Sequence, residues 1–285
     1  MRRKFELAIY FVVIIFFIFR YAGSEGDVER RPEFDPRPVV ESRPDYGSKP
    51  SVNLPLPTDV APRVQVELEE KTTNGVGTAF AVDGNGTYVT ARHVVDGCAE
   101  VFFIDEKNRL YPVKSASSLK TRDFAIIKAI RGPEVHFDLT DSVPKRGQEG
   151  FMMGYPQGKP ADVRAAVIGT TVMRSSGRYR MREPVVAWVE RDRRPGFRGS
   201  LGGISGGPVF NADGVVIGTV VAGSPRRGRV YTTNPHVFEE TDLLDESHRG
   251  RIAQFEDGIS YSNYDLIGRR LRAGRLIAQV YCQAK

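Results

Sequence analysis

The sequence predicts an all-β fold in which two sets of six short strands form two antiparallel β-barrels. The chain has 285 residues, enough to bury a sizeable core in one two-barrel domain with further segments at its ends. Glycine is frequent, with 29 residues, and β-prone apolar runs recur at short intervals. The first set comprises residues 64–68, 76–82, 88–90, 101–104, 110–113 and 124–129. The second set comprises residues 150–154, 163–172, 185–189, 208–210, 215–221 and 229–232.

These runs divide the body of the chain. We expect one domain over residues 63–240, with a first barrel at about 63–138 and a second at about 145–235. Residues 241–285 form a charged segment that leads into an amphipathic helix. The helix is predicted over 264–281, where apolar residues recur at near-helical spacing, namely Leu266, Ile267, Leu271, Leu276, Ile277 and Val280. We expect this helix to pack on the barrels; because of its arginines, a helix lying on a membrane surface is the alternative.

The first 62 residues indicate export. Residues 1–23 contain a basic start and an apolar run over 7–19, which is typical of a signal peptide or an N-terminal membrane anchor. Either interpretation places the rest of the chain outside the cytoplasm, in the periplasm or another extracytoplasmic space, with anchoring in the inner membrane if the segment is retained. Residues 24–62 are rich in proline and charge, and this composition predicts an extended linker.

The formal net charge of +6 raises nucleic acid, anionic lipid and acidic substrates as partners. The basic residues cluster at 191–194, 226–229 and 269–272. No nucleic-acid fold motif accompanies these clusters, so we expect solvated loops and a helix face, and we expect no nucleic-acid partner.

The chemistry of the chain centres on a glycine-rich loop. Ser205 lies between Gly202-Gly203 and Gly206-Gly207, just before an apolar strand. Glycines leave room for a substrate and allow backbone turns that point N–H groups at one oxyanion. A serine needs a base and an orienting acid to become a nucleophile. His93, in the segment 90–95, and Asp123, at the start of an apolar run, are the candidates.

Each of these residues has a structural alternative. A histidine followed by two valines is also typical of a core histidine at a strand end. Three further acids compete with Asp123 for the orienting role, namely Asp83, Asp96 and Asp105. Ser205 fits a glycine-rich hairpin without chemistry as well.

The three segments together resemble the trypsin-like serine proteases, which have the chymotrypsin fold, and most closely the HtrA (Deg) branch. The order His93, Asp123, Ser205 is the chymotrypsin-type order. The resemblance spans about residues 64–235 and implies a serine endopeptidase that forms an acyl-enzyme on Ser205, with an oxyanion hole made by the N–H groups of Gly203 and Ser205. It implies protein or peptide substrates and neither a metal nor a cofactor. Many HtrA members carry a PDZ domain, and the last segment departs from them because we expect none there; the oligomeric state stays open.

The same resemblance places substrate binding at four residues, namely Gly199, Val221, Ala222 and Gly223. Because none is acidic, the pocket is expected to prefer an apolar side chain before the scissile bond. Two other functions remain open: a protease-fold binding module without turnover, and a protease that cuts its own linker once.

The only cysteines are Cys98 and Cys282; a disulfide between them and two free thiols are both compatible with the sequence.

Overall fold

The structure, a computed structural model, describes residues 64–224, 227–247 and 249–285. The predicted signal or anchor over 1–23 and the predicted linker over 24–62 lie outside these described residues. Within them, no helix is long and apolar enough to cross a membrane.

The first sheet has seven strands in the order β5-β4-β16-β2-β3-β7-β6. Their bounds are β2 Gly75–Ala81, β3 Thr87–Thr90, β4 Cys98–Ile104, β5 Leu110–Pro112, β6 Ser115–Ser118, β7 Ala125–Lys128 and β16 Ile277–Ala284. All of its ladders are antiparallel. Six of its strands come from the first half of the chain, and the seventh is contributed by the C-terminus.

The second sheet also has seven strands, in the order β1-β10-β11-β14-β13-β12-β9. Their bounds are β1 Val64–Glu67, β9 Glu149–Gly154, β10 Ala161–Ser176, β11 Met181–Arg194, β12 Pro208–Phe210, β13 Val216–Ser224 and β14 Arg229–Thr233. Strand β9 pairs with β12 and with β10, so the ladders run around a ring of six strands. Strand β1 lies outside this ring and pairs with β10 in parallel.

Short elements complete the fold. The helices are α1 Arg92–Val95, α2 His236–Glu239, α3 Leu243–Ser247 and α4 Tyr264–Ala273, with a 3-10 turn at Pro156–Gly158. A small parallel sheet joins β8 Val135–His136 to β15 Arg251–Ile252. Large buried side chains of both seven-stranded sheets belong to one apolar cluster, for example Phe80 and Phe124 from the first half with Phe151 and Phe210 from the second. The two sheets therefore share a core, and the predicted all-β class with two sheet domains is confirmed.

The first and the last strand of the described residues lie elsewhere than predicted. Strand β1, expected in the first barrel, pairs with the end of β10 in the second sheet, with Val64 opposite Met173. Residues 277–284 form strand β16 between β2 and β4, although residues 277–281 were expected to continue the C-terminal helix. Helix α4 ends at Ala273 because Gly274 follows it and Arg275 has a φ of +60°. The predicted helix is correct only over its first ten residues.

A disulfide joins Cys98, the first residue of β4, to Cys282 of β16. The two Cα atoms are 5.5 Å apart and 184 positions apart in sequence. Because Cys98 follows α1 closely, the bond attaches the C-terminal strand beside the helix that carries His93.

Candidate active site

His93 and Asp123 are held together by two hydrogen bonds. His93 lies in α1, directly after β3, and Asp123 lies just before β7, which pairs with β3. The imidazole Nδ1 is 2.7 Å from Asp123 Oδ2. The backbone N–H of His93 donates to Asp123 Oδ1 at 2.9 Å. Since Nδ1 faces the carboxylate, the other ring nitrogen, Nε2, remains for a substrate-side role.

Both members of this pair have shifted pKa values. Burial opposes the charged imidazolium, but the neighbouring Asp123 carboxylate outweighs it and raises the pKa of His93. Burial also acts to raise the pKa of Asp123, yet the charge and hydrogen bonds of His93 hold it below its ordinary value. Asp123 is therefore an ionised carboxylate at neutral pH, suited to orient and stabilise a protonated imidazole.

The three competing acids are engaged elsewhere. Asp83 accepts hydrogen bonds from the backbone and hydroxyl of Thr87, which, against burial, keep its pKa lowered. Asp96 forms a 3.6 Å ion pair with Arg92. Asp105 caps its own turn and pairs with Arg109. Of the four candidate acids, the structure brings only Asp123 to His93.

Ser205 lies in a turn that is fastened to the first sheet by Thr78 of β2. The N–H of Thr78 donates to the carbonyl of Ser205 at 2.8 Å, and its hydroxyl donates to the carbonyl of Gly203 at 2.8 Å. Gly206 has a φ of +86°, and a Cβ on it would lie 2.1 Å from the carbonyl oxygen of Thr78. The turn therefore requires glycine after the serine and holds it against β2.

Two backbone N–H groups of this turn are free. The N–H groups of Gly202, Ile204, Gly206 and Gly207 all donate to acceptors within the turn or its neighbours. Those of Gly203 and Ser205 have no acceptor among the described residues. Gly203 has a φ of +98°, which favours glycine. These are the two donors that the sequence analysis expects to hold an oxyanion.

His93 and Ser205 line the same cavity, of about 340 Å³, together with Gly202 and Gly203. In that part of the chain which the structure describes, the hydroxyl of Ser205 makes no hydrogen bond, to His93 or to any other group. Apo active sites often have long or poorly aligned catalytic hydrogen bonds that shorten only when substrate is bound.

A second cavity, of about 680 Å³, is also lined by His93. It is lined by three of the four predicted substrate-binding residues, namely Val221, Ala222 and Gly223, and by residues 64–68 in and after β1. Gly199 lines neither cavity. Its carbonyl instead accepts a hydrogen bond from Arg193, which holds that loop in place.

Residues of the β10–β11 hairpin also contact the acid–base pair, and sequence reasoning did not identify them. Arg178, Tyr179 and Glu183 form hydrogen bonds with His93 or Asp123. The sequence does indicate a special role for Glu183, because it takes an inward position in the alternating run Met181, Glu183, Val185. In the structure it is only 1% exposed.

A single group among the described residues could hold a metal ion. The ligand atoms of Asp141, His236 and Glu239 lie within 4.8 Å of one another. This group is partly or fully exposed and shares no residue with either cavity.

Known proteins share sequence similarity with the part of the chain that contains this site. A model of the trypsin-like peptidase domain matches residues 77–218, which contain all three candidate catalytic residues. A probable periplasmic serine endoprotease DegP-like of Marinomonas sp. is 28% identical over 158 residues, 54% of this chain and 31% of that protein. A putative serine protease HhoA of Synechocystis sp. is 28% identical over 158 residues, 54% of this chain and 38% of that protein.

The chain thus spans about a third of the length of these relatives. The active form of the protease Rv3671c from M. tuberculosis is 15% identical, with a TM-score of 0.48, over 65% of this chain and 84% of that one. Residues 77–218 therefore belong to the trypsin-like peptidase family, and the chain is similar to serine proteases of the HtrA type.

Proposed function

We propose that the protein is a serine endopeptidase in which Ser205 is the nucleophile, His93 the general base and Asp123 the orienting acid. One observation carries the proposal: the imidazole bonded to Asp123 faces the same cavity as Ser205 and the two free N–H groups. This arrangement contains each group that acyl transfer by a serine needs.

In the proposed mechanism the oxygen of Ser205 attacks the carbonyl carbon of the scissile peptide bond. His93 accepts the hydroxyl proton at Nε2, while Asp123 holds Nδ1–H and stabilises the imidazolium. The oxyanion of the tetrahedral intermediate binds the N–H groups of Gly203 and Ser205. His93 then protonates the leaving amine, and an acyl-enzyme remains on Ser205. Water, activated by the same imidazole, hydrolyses this ester and regenerates the enzyme.

We further propose that substrates bind as extended peptides along the end of β13, residues 221–223. Apolar groups of this strand and of β1 line the larger cavity, which favours an apolar side chain close to the scissile bond. Rapid cleavage after arginine in a peptide library would contradict this preference.

The test is covalent labelling of the folded protein with a fluorophosphonate probe. Wild type is expected to be labelled, and Ser205→Ala is expected to be unlabelled while its circular dichroism spectrum stays that of wild type. The labelling rate of Asp123→Asn is expected to be lower by roughly 10⁴-fold, since the imidazole is then held in the wrong tautomer. Equal labelling of wild type and Ser205→Ala would refute the role of Ser205.

A second function, a binding module without turnover, is favoured by one observation, the lack of a hydrogen bond between Ser205 and His93. Folded wild-type protein that stays unlabelled and yet binds peptides in the cleft would support this function.

We also propose that the protein works outside the cytoplasm, tethered to the inner membrane by residues 1–23. Support comes from the apolar run over 7–19, from the Cys98–Cys282 disulfide, and from the word "periplasmic" in the name of a relative. Fractionation of cells, followed by protease treatment of spheroplasts, tests both claims. Recovery of the full-length chain in the cytosol would contradict them.

A further inference from the structure

The tip of the β10–β11 hairpin reaches from the second sheet onto the acid–base pair of the first sheet. We propose that Tyr179 and Glu183 of this hairpin are positioning residues for Asp123 and, through it, for His93. This inference rests on the peptidase function proposed above.

Tyr179 supplies a third hydrogen bond to the buried Asp123 carboxylate. Its hydroxyl donates to Asp123 Oδ1 at 3.3 Å, the same oxygen that accepts the backbone N–H of His93. Burial and the nearby carboxylate charge both raise the pKa of Tyr179, so the phenol keeps its proton and remains a donor. Asp123 is 3% exposed, so water is a poor substitute for this donor.

The hairpin tip is itself held in place by contacts of two arginines. The Arg92 guanidinium lies 3.8 Å over the Tyr179 ring, and Arg92 also donates to the carbonyl of Lys120, close to Asp123. Arg178 donates to the carbonyl of His93 at 3.0 Å and to the hydroxyl of Thr72 at 2.7 Å. The tyrosine therefore approaches Asp123 from a fixed position, which is what a positioning residue requires.

Glu183 holds the backbone of Asp123. Both of its carboxyl oxygens are 3.2 Å from the N–H of Asp123. Burial and the charge of Asp123 raise the pKa of Glu183 to about 8, with Arg122 opposing and Glu240 adding to the shift. At neutral pH Glu183 is a neutral acceptor, and it becomes a second buried negative charge beside Asp123 only as the pH rises through about 8.

The two positioning contacts have separable consequences. Loss of the Tyr179 hydroxyl leaves Asp123 with less hydrogen-bond stabilisation, so its charge holds the imidazolium more strongly and the pKa of His93 rises. Loss of the Glu183 acceptor leaves a buried N–H unpaired and loosens the Asp123 loop, whereas an amide at the same position still accepts that hydrogen bond.

The experiment compares full-length wild type with four variants: Tyr179→Phe, Glu183→Ala, Glu183→Gln and Tyr264→Phe. Tyr264 is the matched control, because it is a buried tyrosine whose hydroxyl donates to another carboxylate, that of Asp192, at 2.9 Å. Two readouts are taken from pH 5 to pH 9: the second-order rate of fluorophosphonate labelling, and the NMR titration of the His93 imidazole, assigned with a His93→Gln variant.

Tyr179→Phe is expected to label about tenfold more slowly on the plateau, the effect typical of one hydrogen bond to a charged group. Its labelling profile and its His93 titration both shift to higher pH, while Tyr264→Phe matches wild type in both readouts. Glu183→Ala labels more slowly at every pH. Wild type is expected to label more slowly above pH 8, where ionised Glu183 places a second buried negative charge beside Asp123. Glu183→Gln labels at the wild-type rate at pH 7 and lacks this decline.

Two results would overturn the inference. If Tyr179→Phe has the same labelling rate and the same His93 titration as the control Tyr264→Phe, Tyr179 has no positioning role. If Glu183→Ala is labelled at the wild-type rate, Glu183 has none. The NMR titration needs no turnover, so it decides the role of Tyr179 even when wild type is unlabelled. Unlabelled wild type refutes the peptidase function instead.

Discussion

Gly203 combines two requirements in one residue: a backbone conformation with positive φ and space for a carbonyl group. A Cβ on Gly203 would lie 2.5 Å from the carbonyl oxygen of Tyr155. At Gly202 a Cβ would meet only the Ser200 hydroxyl, at 3.3 Å, which a side-chain rotation relieves. Gly203→Ala is therefore expected to displace the free N–H donors, whereas Gly202→Ala is expected to leave them in place.

The measurement is the rate of fluorophosphonate labelling of the two variants. The labelling rate of Gly203→Ala should fall by roughly 10²- to 10³-fold, the effect of losing an oxyanion donor. The labelling rate of Gly202→Ala should stay within a few-fold of that of wild type. Labelling of Gly203→Ala at the wild-type rate would show that this N–H takes no part in the chemistry.

Glu183 makes folding stability depend on pH in a defined direction. Its pKa is about 8 in the folded protein against an ordinary value of 4.5, so between these values the folded state binds more protons than the unfolded state. The contribution of Glu183 therefore lowers the free energy of unfolding as the pH rises from 4.5 to 8, at ~1.4 kcal/mol per pH unit. In Glu183→Gln this decrease in the free energy of unfolding between pH 4.5 and pH 8 is expected to be absent.

Urea denaturation at pH 5 and pH 8 measures the effect. Glu183→Gln should be close to wild type at pH 5 and more stable than wild type by a few kcal/mol at pH 8. The same stability difference at both pH values would contradict a buried, protonated Glu183.

At the scale of elements, one buried ion pair fastens helix α4 to the second sheet. Arg272 of α4 donates two hydrogen bonds to Asp162 of β10, at 2.6 and 2.9 Å. Burial raises the pKa of Asp162 even against this arginine, so the carboxylate depends on its partner. Arg269, one turn earlier, is 62% exposed in its own pair with Asp265.

Arg272→Ala is therefore expected to destabilise the protein by about 3–5 kcal/mol, because it leaves a buried carboxylate uncompensated. The matched variant Arg269→Ala should cost less than about 1 kcal/mol. Urea denaturation of both variants at pH 7 measures the difference. Equal and small losses would show that α4 is held by its apolar face alone.

At the scale of the whole molecule, the first and the last described strand each join the sheet formed mainly by the other half of the chain. Strand β1 from the N-terminal side joins the second sheet, and β16 from the C-terminal side lies inside the first. The β10–β11 hairpin makes a third connection, from the second sheet to His93 and Asp123. The candidate site therefore depends on both sheets and on residues from both halves of the chain.

The Cys98–Cys282 disulfide closes most of the chain into one loop. In the chain-entropy model a loop of this length stabilises the folded state by roughly 5 kcal/mol. The double variant with serine at both positions is expected to unfold at a clearly lower urea concentration than oxidised wild type. Reduced wild type should behave like the variant, and overlapping unfolding curves for all three would contradict a structural disulfide.

Local patterns in the sequence predicted much of the fold and of the candidate site. The alternating and apolar runs predicted most strands, since a strand with one buried face must alternate. The glycines around Ser205 predicted a turn with free donors, because such a turn needs positive φ. For residues 277–284 the pattern was ambiguous: the apolar spacing of Leu276, Ile277 and Val280 also fits a helix, and only the open position between β2 and β4 selects a strand.

The sequence by itself determined the all-β class, the two groups of strands and the three side chains proposed for catalysis, because turn chemistry and apolar periodicity are local properties. Only the tertiary structure decided which sheets strands β1 and β16 join, and that Tyr179 and Glu183 form hydrogen bonds with Asp123. These contacts join residues up to about two hundred positions apart, and no local pattern specifies partners across such distances; packing and the pairing of buried polar groups select them.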